Sequence, residues 1–300
     1  MKLAAIDIGS NAIRFLIYRI LEHENQRKFK KLEYIRFPLR LGQDVFNTGR
    51  ITDSTKEKFY RLMHSFALLI DLYEVDAQYA CATSALRESS NGGAIINEVH
   101  QLFGLKIHLI SGEEEARLIN NVVIDQLDSG QFIHIDVGGG STELNLIYNR
   151  KKFASKSFKL GSVRGLEKHN SPEKLKKMYE WIQEHIKEDH PIQAVGTGGN
   201  INKLYELSGQ TDDGLFEIKS LYRVQQQLKK MSIEERIYDL DLNPDRADVI
   251  IPASRLYIHA MESANAQKIK VPDVGLKDGI IHMLYHQYGN MNNTNLNIEN

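Results

Sequence analysis

The sequence predicts an α/β protein made of two similar units with a cleft between them. Three observations carry that expectation. The first is a repeat: Ile6-Asp7-Ile8-Gly9-Ser10 returns as Ile135-Asp136-Val137-Gly138-Gly139-Gly140-Ser141-Thr142, and Leu16-Ile17-Tyr18 returns as Leu146-Ile147-Tyr148, with the second turn one residue longer. A repeated opening implies a repeated fold, so the pair carries more weight than either copy. The second is the run of patterns after the first opening, where strand-like and helix-like periods follow the order β-β-β-α-β-α-β-α. The third is length: 300 residues accommodate two domains of about 100–200 residues each.

The elements follow from local pattern. Residues 3–6 and 13–20 read as strands around the Gly9-Ser10-Asn11 turn, and the polar residues 21–31 as a hairpin connection to a third strand at 34–39. From Asp53 the apolar positions Phe59, Leu62, Met63, Phe66, Leu69 and Ile70 recur at steps of three and four, with Thr52 or Asp53 as N-cap. Residues 79–83 and 106–110 read as strands and 92–103 as a helix. The second half shows helical spacing at 172–188, 199–208, 218–231, 246–265 and 275–287. The first unit is expected at 1–127 and the second at 128–289, with the last helix able to pack back on the first. Six Asn among residues 290–300 predict a frayed tail.

Composition narrows the function. Lys+Arg 38 against Asp+Glu 39 leaves a net charge of −1, which argues against coating nucleic acid or an anionic membrane. One cysteine rules out an intrachain disulfide and a multi-cysteine zinc site; Cys81 lies in an apolar strand and reads as core. No apolar run reaches the ~18 residues of a membrane span, and the first residues enter a strand without a secretory pattern. The expectation is a soluble cytoplasmic protein with neither nucleic acid nor membrane as partner.

The two glycine turns are the first chemical feature. Gly and small hydroxyl residues between strands let several backbone N–H groups converge on one anion, and the aspartate before each turn, Asp7 or Asp136, suits a magnesium ion or its waters. A Gly-rich hairpin alone is commonly only a hairpin; two copies with Asp at the same place favour the phosphate reading. No P-loop is present, and Gly196-Thr197-Gly198-Gly199-Asn200 lacks the third glycine of a dinucleotide fingerprint.

In Ser111-Gly112-Glu113-Glu114-Glu115-Ala116-Arg117, Ser111 and Glu114 fit a capping box and Glu113 suits the helix dipole. Glu115 has less local reason to be acidic and is a candidate general base. Glu143 lies one residue past the second turn, where strand alternation turns it toward the same nest. Thr83-Ser84-Ala85-Leu86-Arg87-Glu88 closes a strand and opens a helix; Arg87 is either a bidentate phosphate clamp or a solvated arginine paired with Glu88 or a neighbour. Residues 151–177 carry eight Lys and one Arg against two Glu, either a guide for a polyanion or a solvated face. His282 and His286 stand four apart on a helix without an acidic partner, which reads as surface or packing.

These motifs, in this order and spacing, resemble the exopolyphosphatase/guanosine pentaphosphate phosphohydrolase (Ppx/GppA) family of the actin-like ATPase superfamily. They are Ala5-Ile6-Asp7-Ile8-Gly9-Ser10-Asn11, Ala82-Thr83-Ser84-Ala85-Leu86-Arg87, Ser111 to Ile119, Asp136 to Leu144, and Gly196-Thr197-Gly198-Gly199. The resemblance spans residues 3 to 285. It implies two RNase H-like lobes, Glu115 as catalytic base, and Asp136 and Glu143 as metal-holding and water-orienting acids. It also implies Arg87 as a phosphate contact and a homodimer.

With the residue reading, the expected phosphate-binding set is Gly9, Ser10, Asn11, Arg14, Ser84, Arg87, Gly139, Gly140, Ser141 and Thr142. Asp7, Asp136 and Glu143 are the expected metal positions for Mg²⁺ or Mn²⁺. Gly198 and Gly199 are expected in a second-lobe loop toward a nucleotide. Val274-Gly275-Leu276-Lys277-Asp278-Gly279 stands where family members often have Gly-Ala-Leu-Arg-Glu-Gly.

The expected activity is removal of terminal phosphate from inorganic polyphosphate, a polyanionic substrate, with pppGpp hydrolysis as the alternative. A kinase of the same superfamily and a non-catalytic sensor of (p)ppGpp or polyphosphate are the rivals. ADP formation dependent on a small acceptor would mark the kinase, and tight binding without phosphate release the sensor.

Overall fold

The computed structural model describes residues 1–23, 26–166, 171–186, 190–210 and 214–295. Contacts divide the chain into two units. Unit 1 holds Met1–Ser111, Leu118–Val122 and the chain from Leu276; unit 2 holds Gly112–Arg117 and Val123–Gly275. The first break therefore falls at Ser111 rather than 127.

Unit 1 opens with β1 (Lys2–Ile8), β2 (Ile13–His23) and β3 (Gln26–Phe37). Then come α1 (Leu41–Thr48), α2 (Asp53–Leu72), β4 (Ala77–Ala82), α3 (Ser84–Glu88), α4 (Gly92–Phe103) and β5 (Ile107–Leu109). Its sheet runs β3-β2-β1-β4-β5, antiparallel on the β2–β3 side and parallel on the β4–β5 side. Central β1 is buried on both faces beyond Lys2, which is why it reads as a nearly unbroken apolar run. In α2 the Thr52 side chain caps the backbone N–H of Thr55, and Phe59, Leu62, Met63 and Phe66 face the core. Phe66 stacks on Phe15 of β2 with ring centroids 4.6 Å apart.

Next along the chain are α5 (Gly112–Ile124), β6 (Gln131–Val137), β7 (Thr142–Tyr148), β8 (Lys151–Phe158), α6 (Ser162–Leu166), α7 (Pro172–His185) and β9 (Ile192–Thr197). They are followed by α8 (Gly199–Leu207), β10 (Leu215–Glu217), α9 (Ile218–Lys230), α10 (Ile233–Tyr238), α11 (Pro244–Ala247), α12 (Ile250–Ser263), β11 (Lys268–Lys270) and α13 (Leu276–Asn295). The second sheet runs β8-β7-β6-β9-β11-β10. Its first five strands repeat the order and directions of the first sheet. Both are RNase H-like sheets, and the chain is α/β throughout.

The register corrects the repeat. Ile8 faces Ile13 and Val137 faces Thr142, so both turns have the same length. Tyr18 therefore corresponds to Ile147, and the Leu-Ile-Tyr match is displaced by one residue, onto the opposite face of the strand. Residues 21–31 are also more than a connection. β2 reaches His23 and β3 starts at Gln26, and this part of the hairpin is exposed, so it carries no apolar alternation to read. The expected tail is helical as far as Asn295. Residues 296–300 lie outside the described residues. Helix α13 belongs to unit 1 because it packs on β1, β2 and β4, burying Ile280, Ile281 and Leu284.

Candidate active site

The site grows from one face of the second sheet. Ile133, Ile135 and Val137 of β6 and Leu144 and Leu146 of β7 enter the core. Alternation then sends His134, Asp136, Glu143 and Asn145 to the other face. Asp136 lies opposite Glu143, and His134 opposite Asn145. On the other side of β6, Thr197 of β9 pairs with Asp136. Glu143, Asp136 and Thr197 thus form one row across three strands.

Helix α5 adds a third acid. Glu115, Asp136 and Glu143 each offer a carboxylate oxygen, all within 4.8 Å of one another. Close packing of α5 on β8 accounts for the approach: a Cβ added at Gly112 would stand 2.6 Å from the Ser157 side chain. Ser157 Oγ in turn donates 2.8 Å to Glu143 Oε1, fixing that carboxylate. Glu114 instead lies 3.8 Å from Arg117 on the solvent side of the helix. An all-oxygen set of three carboxylates fits a hard divalent cation such as Mg²⁺ or Mn²⁺, with no nitrogen or sulfur to favour zinc.

The turn from Gly138 to Ser141 is anchored from behind by α6. The Gly138 carbonyl accepts from Ser162 N–H at 3.0 Å, and Gly139 accepts from Val163 and Arg164 N–H at 2.9 and 3.0 Å. The Gly140 carbonyl accepts from buried Arg164 Nε at 2.8 Å. In a planar trans peptide the next N–H points opposite to each carbonyl. The N–H groups of Gly139, Gly140 and Ser141 therefore turn away from α6 together, forming a nest able to take an anion. Thr142 Oγ1 donates to the Leu160 carbonyl at 2.7 Å, so its hydroxyl holds the loop.

The matching position in unit 1 is chemically different. Asp7 pairs in register with Arg14, and Arg14 Nη1 lies 2.8 Å from Asp7 Oδ2. The place of Glu143 is taken by a cation, so Asp7 sits in a neutral pair rather than joining a second carboxylate. The repeat suggested equivalent metal positions at Asp7 and Asp136, and the register shows opposite electrostatics. The residue seven positions beyond each aspartate carries the difference, and it was present in the sequence.

Other expected positions are distributed as follows. Ser10 and Ser84 share a 2.8 Å hydroxyl hydrogen bond within unit 1. Arg87 Nη1 donates to the Ile110 carbonyl at 2.5 Å. Gly198 has φ +108, and a Cβ there would stand 3.1 Å from Asp136 Oδ1, so it is a glycine that makes room for the carboxylate. Gly199 is the first residue of α8.

Within the basic stretch, Arg164 is buried on the turn, and Lys176 and Lys177 lie near Glu180 and Glu173. Lys151, Lys152 and Lys156 remain exposed on β8. Residues 167–170 of that stretch are outside the described residues. His282 and His286 approach each other, Nε2 to Nε2, at 3.1 Å. Cys81 is buried, as expected.

Sequence reasoning missed a buried polar group behind the acids. His134 is fully buried between Asn145 and Thr197, with ring nitrogens 3.1 and 2.8 Å from their side chains. Burial pushes its pKa down to about 3. Its signal was parity: it precedes Asp136 by two on a strand. Buried Tyr257 accepts from Val137 N–H and donates to the Thr197 carbonyl, tying the ends of β6 and β9. Burial first, and the Asp136 charge second, raise the Tyr257 pKa well above the usual phenol range.

Among the described residues no helix is long and apolar enough to cross a membrane. A guanosine-5'-triphosphate,3'-diphosphate pyrophosphatase of Vibrio cholerae is 26% identical over 295 residues, covering 93% of this chain. The chain spans 58% of that relative's length. A crystal structure of the Aquifex aeolicus Ppx/GppA family member matches at TM-score 0.76 and 25% identity, covering 96% of this chain and 98% of that one. An exopolyphosphatase from Cytophaga hutchinsonii matches at TM-score 0.82 and 21% identity, covering 96% and 98%, a likeness of fold. Residues 16–287 match the sequence profile of the Ppx/GppA phosphatase family. With that span, the chain belongs to the Ppx/GppA phosphatase family.

Proposed function

We propose that this chain is a phosphohydrolase that removes the terminal phosphate of inorganic polyphosphate. The observation that carries the reading is the meeting of Glu115, Asp136 and Glu143 oxygens within 4.8 Å, beside a turn whose N–H groups face one way. A bound Mg²⁺ or Mn²⁺ held by Asp136 and Glu143 would offset the charge that develops on the transferring phosphoryl group. Glu115 orients the attacking water and takes its proton as the water oxygen bonds to the terminal phosphorus. The bridging P–O bond breaks, and the shortened chain leaves with the electron pair. The N–H groups of Gly139, Gly140 and Ser141 hold phosphate oxygens through the transfer.

Exposed Lys151, Lys152 and Lys156 on β8 favour a long polyanion over a nucleotide, because their strand also carries Ser157, which bonds Glu143. The name of the Vibrio relative favours the alternative substrate, guanosine pentaphosphate. The deciding experiment follows phosphate release from polyphosphate and from pppGpp in parallel with Mg²⁺. Release from polyphosphate, lowered about 10²–10⁴-fold in kcat by Glu115→Gln, is the expected result. Faster release from pppGpp would reassign the substrate. Turnover unaffected by Glu115→Gln would remove the base assignment, and binding without release from either substrate would leave a sensor.

A further inference from the structure

The two sheets differ one strand further out from their aspartates. In unit 1, Arg14 faces Arg36 of β3, so the row reads Arg36, Arg14, Asp7. In unit 2, Glu143 faces Ser157 of β8, and the row reads Ser157, Glu143, Asp136. The neighbouring pairs also match, Ile13 with Phe37 and Thr142 with Phe158, so Arg36 and Ser157 hold equivalent places. Where one unit has a second cation, the other has a small neutral hydroxyl.

Ser157 lies exposed on an edge strand, a place where long charged side chains are common. Its hydroxyl is nevertheless turned inward. Ser157 Oγ donates 2.8 Å to Oε1 of Glu143, a residue that is 1% exposed. Helix α5 closes over the same bond. A Cβ added at Gly112 would stand 2.6 Å from both Cβ and Oγ of Ser157 and 3.4 Å from Glu143 Oε1. Gly112 and Glu115 are three residues apart and share a face of α5. The bare backbone that admits the serine therefore also lets the helix bring Glu115 to the acids.

The choice of side chain at 157 has electrostatic consequences. An arginine or lysine there would hold Glu143 by pairing with it, and the paired carboxylate would attract a metal ion less strongly. A methyl group would remove the donor from a buried oxygen. A hydroxyl holds the oxygen and adds no charge.

We propose that Ser157 is a positioning residue for the cation site. Its uncharged hydroxyl fixes Oε1 of Glu143 and leaves the negative charge of Glu143 and Asp136 to a divalent cation. The proposal rests on the phosphohydrolase reading for its consequence in turnover, but not for its consequence in cation affinity.

The test titrates Mn²⁺ into the full chain without substrate, with kcat, KM and thermal melting measured in parallel. Ser157→Ala removes the hydroxyl, Ser157→Thr keeps it, and Ser157→Lys copies the charge of Arg36. Loss of an outer hydrogen bond to a metal ligand typically weakens binding or activity about 10–100-fold. Ser157→Ala is expected to weaken Mn²⁺ binding and lower kcat by that order with KM little changed. Ser157→Thr should restore most of both. Ser157→Lys should weaken Mn²⁺ binding at least as far as Ser157→Ala yet melt no lower, because its ammonium takes the place of the metal beside Glu143.

Wild-type Mn²⁺ affinity in folded Ser157→Ala or Ser157→Lys would overturn the proposal. So would equal losses in the Ala and Thr variants, which would trace the effect to packing, and so would a wild-type chain that binds no Mn²⁺. If the wild-type chain binds Mn²⁺ but releases no phosphate, the phosphohydrolase reading fails, and the affinities alone decide for or against Ser157.

Discussion

Gly161→Ala tests how far the glycine turn depends on its backing. An added Cβ would lie 2.3 Å from the Gly139 carbonyl oxygen and 2.5 Å from the Gly140 carbonyl carbon. Both are backbone atoms, so no side chain can swing aside. Ordinary contact requires the turn to retreat by about 1 Å from residue 161. That movement loosens the 2.9 and 3.0 Å hydrogen bonds from Val163 and Arg164 to Gly139. Overpacking typically costs about 1–3 kcal/mol, and each weakened hydrogen bond about 1 kcal/mol more. A displacement near 1 Å in groups that position a reacting phosphate can lower turnover about 10²-fold. Urea unfolding and steady-state phosphate release measure the two effects. Gly93→Ala in α4 is the control, since a Cβ there meets nothing within 4 Å and Ala is the better helix former. Wild-type stability and kcat in Gly161→Ala would refute the anchoring of the turn by α6.

Two further outcomes follow from buried groups. His134 is held neutral, with a pKa of about 3 against 6.5 for the free side chain. The unfolded chain therefore binds a proton that the folded chain refuses. The stability tied to the neutral ring is complete above about pH 6.5 and is lost toward pH 3, at about 1.4 kcal/mol per pH unit between them. Urea midpoints from pH 7.5 downward should fall more steeply for wild type than for His134→Leu, and parallel curves would contradict the assignment. In unit 1, Arg14→Met strands the Asp7 carboxylate, whose side chain is 7% exposed against 26% for Arg14. The expected loss is about 3 kcal/mol, near the lower end for breaking a buried pair. Asp7→Asn added to Arg14→Met should recover much of it, and a single variant as stable as wild type would show that the pair contributes nothing.

The frame of the fold was legible because it rests on period and repetition. β1 and β6 announce themselves as apolar strands ending in Asp and Gly, and α2 by its apolar spacing and Thr52 cap. The exposed arms of β2 and β3 were not legible, since a hairpin solvated on both faces has no alternation to detect. α10 carries a readable Ser232/Glu235 capping box, but its six residues give too little period to distinguish from loop.

At the site, Glu115, Asp136 and Glu143 came from motif and spacing together, and the structure brings their oxygens into one group. Gly161 and Ser157 could not be found that way. Their importance lies in contacts with the Gly138–Ser141 turn and with Glu143, which no local pattern records.

Residues 14 and 143 show how one duplicated frame came to carry two chemistries. Each stands opposite the aspartate at the end of its unit's first strand, at the same register. Arg14 closes Asp7 into an ion pair, which satisfies the carboxylate from within the sheet. Glu143 does the reverse: it sets a second carboxylate beside Asp136, an arrangement that is unfavourable across a strand pair unless something positive lies between them. Burial sharpens the conflict, because Glu143 is 1% exposed and little water reaches it. Ser157 of β8 holds Glu143 through its hydroxyl. The second sheet thus sets two carboxylates at the position where the first sheet sets an ion pair, and the Gly138–Ser141 turn lies immediately beyond them. A cation between the acids and a phosphate on the turn would each make the other more favourable, which ties the two halves of the site into one function.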